Sequence, residues 1–165
     1  MYFAQNFLDF MNLCDSPSNY ESQMVLDCAN GVGAIPMQAV AYTVRNFVDI
    51  TLVNTETKNP LILNEGCGAE FVHKEAKLPS GVDESSPKKA ASFDGDADRL
   101  MYFKNLGAKP VIIDGDKQFS LLMLYVTKLL KDLGIENSVS NVLVNTAYAN
   151  SQALSFIKRS GINTQ

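Results

Sequence analysis

Ser92-Phe-Asp-Gly-Asp-Ala-Asp-Arg-Leu100 is the stretch of this sequence that says most about the fold. Residues 90–93 have the composition of a short buried strand, and three aspartates follow that strand directly. On either side, short apolar runs alternate with helical stretches, which is the pattern of an α/β fold built on parallel strands with right-handed crossovers. Ligands of such sheets bind at the carboxyl ends of the strands. We therefore expect the acidic loop at the ligand-binding edge of the sheet.

The remaining elements follow from hydrophobic spacing and turn residues. Strands are predicted over residues 24–27, 47–53, 90–93, 100–103, 111–113 and 142–145, and helices over residues 2–13, 35–44, 119–133 and 151–159. The strands at 100–103 and 111–113 are expected to form a hairpin. Asp27, Asp94 and Asn145 each end or follow a predicted strand, so the pattern brings polar side chains to one edge.

The three aspartates at alternate positions predict a metal site. Asp94, Asp96 and Asp98 are separated only by Gly95 and Ala97, and three carboxylates this close repel one another without a cation. The small spacers allow the backbone to curl until all three side chains reach one point. Carboxylate oxygens are hard ligands that favour Mg²⁺, Ca²⁺ or Mn²⁺ over zinc.

Other interpretations of the acidic loop must be weighed. A solvated acidic turn would need no ion. An EF-hand is excluded, because its sixth and twelfth positions, counted from Asp94, hold Arg99 and Asn105 instead of Gly and Glu. A stand-alone phosphatase with Asp94 as nucleophile remains open. The strand before the loop is weak for that class, and Ala97 stands where a hydroxyl residue is usual.

Composition excludes several classes of protein. The formal net charge of −4 and the lack of a basic cluster argue against nucleic-acid binding. No apolar run is long enough to span a membrane and the start does not resemble a secretory signal, so a cytoplasmic location is expected. Cys14, Cys28 and Cys67 form no C-x-x-C pair, which predicts reduced and mostly buried thiols. The single histidine, His73, is expected at the surface.

Several segments in order resemble one known family. Phe93-Asp-Gly-Asp-Ala-Asp-Arg99 resembles the metal loop of the α-D-phosphohexomutase superfamily, and its alanine form is similar to the eukaryotic phosphoacetylglucosamine mutase branch. Four further segments agree in order and spacing, and they are Leu26-Asp-Cys-Ala-Asn-Gly-Val-Gly33, Leu63-Asn-Glu-Gly-Cys-Gly-Ala-Glu-Phe-Val72, Ile113-Asp-Gly-Asp-Lys117 and Asn145-Thr-Ala-Tyr-Ala-Asn150. The resemblance implies a single α/β/α domain over residues 1–165, with a mostly parallel sheet and helices on both faces, equivalent to domain 2 of a four-domain phosphohexomutase.

The resemblance also implies an activity. Members of the phosphoacetylglucosamine mutase branch interconvert N-acetylglucosamine 6-phosphate and 1-phosphate on the route to UDP-N-acetylglucosamine. In this isomerase reaction a phosphoserine donates its phosphoryl group to the sugar. By position, Asp94, Asp96 and Asp98 would hold Mg²⁺, and Arg99 would lie near the transferring phosphoryl group. The alternative for Arg99 is a role as ion-pair partner of the aspartates.

Other motifs of the family are missing from this sequence. It has no Ser-His pair for a catalytic serine loop, no Glu-Ala-Asn-Gly-like sugar loop and no Arg-Pro-Ser-Gly-type phosphate loop. The expected partners are therefore the missing domains of the same enzyme and, in that full-length context, a sugar phosphate. We expect a fragment or partial gene product that is inactive alone, with a non-catalytic truncated module as a further alternative.

Three smaller motifs are given structural roles. Asn30-Gly-Val-Gly33 is expected to be a turn and not a nucleotide site, because Pro36 stands where a third small residue would be needed. Asp114-Gly-Asp116 is expected to cap the following helix and not to form a second metal site, and Lys117 is expected to be solvated and not to reach a phosphate. Tyr148 and Asn150 are expected to start and pack the last helix.

Overall fold

A computed structural model describes residues 2–13, 20–107, 109–139, 142–144, 150–160 and 163–164. These residues form two compact units that divide between Ile112 and Ile113, at the last residue of the fifth strand, which is described with the first unit. Asn145, Tyr148 and Cys14, which figure in the predictions above, lie outside the described residues. Among the described residues, no helix is both long enough and apolar enough to cross a membrane.

The first unit is built around a five-stranded sheet. Its elements in chain order are α1 (Tyr2–Asn12), β1 (Gln23–Asp27), α2 (Ala34–Val44), β2 (Asp49–Val53), a 3₁₀ turn (Pro60–Ile62), α3 (Ala69–Glu75), β3 (Lys89–Phe93), β4 (Leu100–Lys104) and β5 (Val111–Ile113). The strand order is β2-β1-β3-β4-β5. β1 runs parallel to both β2 and β3, whereas β3 and β4 are antiparallel.

Helices cover both faces of this sheet. Successive residues of a strand point to opposite faces. Val25 of β1 packs with Val72 of α3 in one buried cluster, whereas its neighbour Leu26 packs with Ala34 of α2 in another. The predicted α/β fold, with a sheet that is parallel at its core and helices on both faces, is thus confirmed.

Some boundaries differ from the prediction for local reasons. β2 begins at Asp49 and not at residue 47, because the N–H groups of Phe47 and Val48 both donate to the carbonyl of Val44 at the end of α2. The helix α3 was not predicted, since its seven residues are too few to show a helical repeat.

The second unit contains α4 (Gly115–Asp132), β6 (Val142–Leu143), α5 (Ser151–Arg159) and β7 (Asn163–Thr164). Here α4 starts four residues before the predicted start, because Asp114 caps it and its side chain accepts a hydrogen bond from the Lys117 N–H. Ile157 of α5 is buried against Met123 and Leu124 of α4. β6 pairs with β7 in parallel.

Candidate metal centre

The three predicted aspartates lie together immediately after β3. One carboxylate oxygen of each of Asp94, Asp96 and Asp98 lies within 4.8 Å of the others. Asp94 is half-buried, and the other two are exposed. An ion that enters from solvent could therefore contact all three side chains. We call residues 94–98 the metal loop.

The backbone of the metal loop is curled by its own hydrogen bonds. The Ala97 N–H donates to the carbonyl of Asp94 at 3.1 Å, which closes a turn. Ala97 has a φ of 61°, in the left-handed region that an alanine rarely adopts. The Arg99 N–H then donates to Oδ1 of Asp94 at 3.1 Å, so the loop returns to its starting point.

Arg99 contacts the first aspartate in this arrangement. Its Nε lies 3.6 Å from Oδ2 of Asp94, and 57% of the Arg99 side chain is exposed. This is the ion-pair role that the sequence left as an alternative. An ion pair this exposed contributes on the order of 0–1 kcal/mol, so it holds the guanidinium only weakly.

The carboxylates of the metal loop repel one another, and the effect is largest at Asp98. The negative charge of Asp96, followed by that of Asp94, raises the pKa of Asp98 above its ordinary value. A cation between the three groups would remove this repulsion. Because all three side chains offer hard oxygen ligands, the donor set fits Mg²⁺.

The sequence placed Asp27 at a strand end on this edge, but it did not show that the carboxylate is buried. Asp27 is fully buried at the end of β1, where its Oδ1 accepts hydrogen bonds from the Ala29 N–H and the Asn54 amide at 2.9 and 2.8 Å. Its Oδ2 accepts from the Gly68 N–H and the Ser92 hydroxyl, both at 2.7 Å. Both carboxylate oxygens of Asp27 therefore accept hydrogen bonds from the protein. Asp27 connects several segments of the chain, and it is too buried to bind an ion from solvent. Its place at a strand end was the only sequence signal.

Several other predicted residues have structural roles. Asp114 caps α4 and pairs with Lys117 at 2.8 Å, and this lysine is exposed to solvent as expected. Asn150 caps α5 and accepts a hydrogen bond from the Gln152 N–H at 2.8 Å, as expected for a helix start. His73 is exposed on α3, as predicted.

The described thiols agree with the prediction of reduced, buried cysteines. Cys28 and Cys67 are both free and buried. Burial, with a smaller contribution from the charge of Asp27, raises the pKa of each thiol to about 11. Neither thiol is therefore suited to act as a nucleophile or a metal ligand at neutral pH.

Known proteins of one family are similar to this chain over most of its length. The family model for phosphoacetylglucosamine mutase AMG1, domain II, matches residues 14–101. Phosphoacetylglucosamine mutase 1 of Schizosaccharomyces pombe is 40% identical over 153 residues, which cover 91% of this chain and 29% of that protein. The chain thus spans less than a third of the length of this relative.

Solved structures of this superfamily are also similar to the chain. The apo crystal structure of an N-acetylglucosamine-phosphate mutase of the α-D-phosphohexomutase superfamily has a TM-score of 0.84 and 33% identity, covering 98% of this chain and 35% of that one. The Aspergillus fumigatus N-acetylphosphoglucosamine mutase, crystallised with GlcNAc-6P and magnesium, has a TM-score of 0.76 and 30% identity, covering 87% and 30%.

Proposed function

This chain belongs to the phosphoacetylglucosamine mutase family, and on that premise we propose that it is the metal-binding part of an enzyme that interconverts N-acetylglucosamine 6-phosphate and 1-phosphate. In this proposal Asp94, Asp96 and Asp98 hold Mg²⁺. The observation that carries it is the approach of one oxygen from each carboxylate to within 4.8 Å of the others. The magnesium in the Aspergillus fumigatus relative supports the choice of ion.

The bound ion would offset negative charge on the oxygens of a phosphoryl group during its transfer. The protein's own contribution is to hold three carboxylates at one point on the edge of a sheet. Arg99 is proposed to reach the transferring phosphoryl group, because a guanidinium offers a planar set of donors that matches phosphate oxygens. Its exposed pairing with Asp94 leaves it able to exchange that partner for a phosphate.

The proposed activity needs more than this chain. We propose that the chain corresponds to the second of four domains, and that the phosphoserine and the sugar-recognition loops belong to the other domains. The resulting isomerase would serve the synthesis of UDP-N-acetylglucosamine. Purified chain alone should bind Mg²⁺ weakly and should not turn over the sugar phosphate in a coupled assay.

Binding of Mn²⁺, used as a paramagnetic substitute for Mg²⁺, tests the metal site in solution. We expect one ion per chain, detected as loss of the free Mn²⁺ signal in electron paramagnetic resonance, with Mg²⁺ competing for the site. Asp96→Asn should weaken binding, because it replaces a charged ligand with a neutral one. Asp132→Asn is the matched control, since Asp132 is exposed and pairs with Lys128 on α4. Equal weakening by both variants would contradict the proposal.

The competing phosphatase hypothesis makes a different prediction. It requires Asp94 to attack the phosphorus of a phosphate ester, whereas the mutase proposal uses Asp94 only as a metal ligand. Incubation of the chain with p-nitrophenyl phosphate and Mg²⁺ separates the two hypotheses. The mutase proposal expects no phosphate release, whereas release that is abolished by Asp94→Asn would favour a hydrolase.

A further inference from the structure

We propose that the turn between β1 and α2, residues 30–33, positions the metal loop, and that Gly31 is its principal positioning residue. We call residues 30–33 the glycine turn. The inference rests on the proposed metal site and adds residues distant from it in sequence. β1 and β3 are parallel neighbours in the sheet, so the segments that follow them emerge at the same edge.

A hydrogen bond joins the glycine turn to the centre of the metal loop. The Val32 N–H donates to the carbonyl oxygen of Gly95 at 3.1 Å. This carbonyl belongs to the peptide group that links Gly95 to Asp96. The bond therefore fixes the backbone between the first two proposed ligands.

Gly31 allows the two segments to approach closely. A Cβ built on Gly31 would overlap the carbonyl oxygen of Gly95 and would lie 2.8 Å from the Gly95 Cα. The φ of Gly31 is outside the left-handed region, so backbone conformation does not require glycine there. The requirement is one of space against the metal loop.

Two further close approaches surround the contact between Gly31 and Gly95. A Cβ on Gly33 would lie 2.9 Å from the Cβ of Ala97, in the second half of the metal loop. Gly95 is also approached by Asn64. The side-chain amide nitrogen (Nδ2) of Asn64 lies 2.9 Å from the position that a Cβ on Gly95 would take. The Asn64 N–H donates to the carbonyl of Ala29 at 3.0 Å. Gly95 therefore lies between the glycine turn and the side chain of Asn64, whose backbone is bonded to the residue that precedes this turn.

The glycine turn is itself held from outside the metal loop. The Asn30 N–H donates to the carbonyl of Asn54 at 2.7 Å, and the Asn30 side-chain amide donates to the carbonyl of Ile62 at 3.1 Å. Asn30 also accepts a hydrogen bond from the Glu56 N–H at 3.1 Å. The turn is thus a fixed support against which the loop is placed.

The test compares glycine-to-alanine variants of the whole chain. Gly31→Ala should weaken Mn²⁺ binding about ten- to a hundredfold, which is the usual effect of disturbing groups behind metal ligands. Gly33→Ala should weaken it less, because the atoms that a Cβ there would crowd belong to the side chains of Ala97 and Phe93 and not to the backbone. Gly115→Ala is the matched control, since a Cβ there has nothing within 4 Å. Its affinity should equal that of the parent chain.

A rescue variant separates positioning from general damage. Ala97→Gly removes the nearest atom that Gly33→Ala would meet and leaves the looser approach to the Phe93 ring, so the double variant should recover part of the affinity lost in Gly33→Ala. This recovery can be measured even if Gly31→Ala does not fold. Parental Mn²⁺ affinity in a folded Gly31→Ala chain, or no recovery in the double variant, would overturn the inference.

Amide hydrogen exchange supplies a second measurement that needs no ion. The Ala97 and Arg99 amides bond within the metal loop, and they should exchange faster in Gly31→Ala than in the parent or Gly115→Ala. If the parent chain binds no Mn²⁺ but these amides respond as expected, the proposed metal function fails while the positioning role stands. Unchanged exchange in Gly31→Ala would overturn the positioning role itself.

Discussion

The hydroxyl of Ser92 donates a 2.7 Å hydrogen bond to Oδ2 of Asp27, across 65 positions of sequence. The two residues are also direct neighbours in the parallel ladder between β1 and β3. Ser92 precedes Asp94 by only two residues, so this bond fixes the start of the metal loop to the end of β1. The geometry of the metal loop thus depends on a buried carboxylate that is not one of the proposed ligands.

Replacement of Asp27 should strongly destabilise the chain. Asp27→Ala removes all four of its acceptor contacts and leaves the buried N–H groups of Ala29 and Gly68 without their partner. Each unsatisfied buried group costs about 1–3 kcal/mol, so we expect a loss of about 3–5 kcal/mol in the free energy of unfolding. Urea unfolding followed by circular dichroism measures it.

Two variants calibrate that measurement. Ser92→Ala removes one hydrogen bond to the same carboxylate and should cost about 1 kcal/mol. Asp132→Asn removes an exposed carboxylate and should change stability by less than about 0.5 kcal/mol. If Asp27→Ala has the same free energy of unfolding as Asp132→Asn, the buried carboxylate contributes little to the stability of the fold.

Asp98→Asn should have opposite effects with and without metal. The pKa of Asp98 is raised in the folded chain, chiefly by Asp96, so the folded state holds this proton more tightly than the unfolded state. The associated stabilisation is present below the ordinary value of 3.8 and is lost as pH rises through the raised pKa. At pH 7 the ion-free chain is thus left with charge repulsion, which the substitution removes.

Thermal unfolding at pH 7 measures both effects. In EDTA, Asp98→Asn should unfold at a higher temperature than the parent chain. In excess Mg²⁺ the parent should gain stability through binding, and the variant should gain less because it has lost a charged ligand. A lower unfolding temperature in EDTA would contradict the repulsion, and an equal gain in Mg²⁺ would argue against Asp98 as a ligand.

Cys28 and Cys67 should react slowly with alkylating agents in the folded chain. The pKa of each is raised from 9.0 to about 11, so the reactive thiolate is about a hundredfold rarer at pH 8. Mass spectrometry of iodoacetamide-treated chain, native and in urea, measures each site separately. Rapid labelling of either cysteine in the native chain would show that its burial is incomplete.

The raised pKa values of Cys28 and Cys67 also predict how the stability of the chain changes at alkaline pH. Their folded pKa values lie above the unfolded ones, so the stability that they contribute falls as pH rises from about 9 to about 11. A Cys28→Ala chain should lose less stability than the parent over that interval in urea unfolding. An equal loss in both chains would assign the alkaline effect to other groups.

The sequence predicted the parts of this fold that depend on residues close to one another in sequence. The aspartates and the small spacers between them indicated a curled acidic loop, and Asn150 indicated the start of α5. The bounds of α5 agree with the prediction because its strongly amphipathic repeat fills the whole helix. α4 was predicted too short, because its first turn (residues 115–118) is polar and lacks an apolar repeat.

Contacts between distant segments could not be predicted from one sequence. Nothing in the local pattern shows that Asp27 accepts bonds from Gly68 and Ser92, or that Gly31 lies against Gly95. These contacts follow from the order of strands in the sheet, which is set by the packing of the whole unit. The sequence showed the acidic residues of the proposed site, whereas the contacts that support them became visible only in three dimensions.

Crystals of the chain grown with Mn²⁺ test the central claim most directly. The metal-centre account predicts one anomalous-scattering peak that an oxygen from each of Asp94, Asp96 and Asp98 contacts, with the Val32 N–H still bonded to Gly95. The account is contradicted if the three side chains point away from one another, or if the bound ion lies elsewhere on the chain.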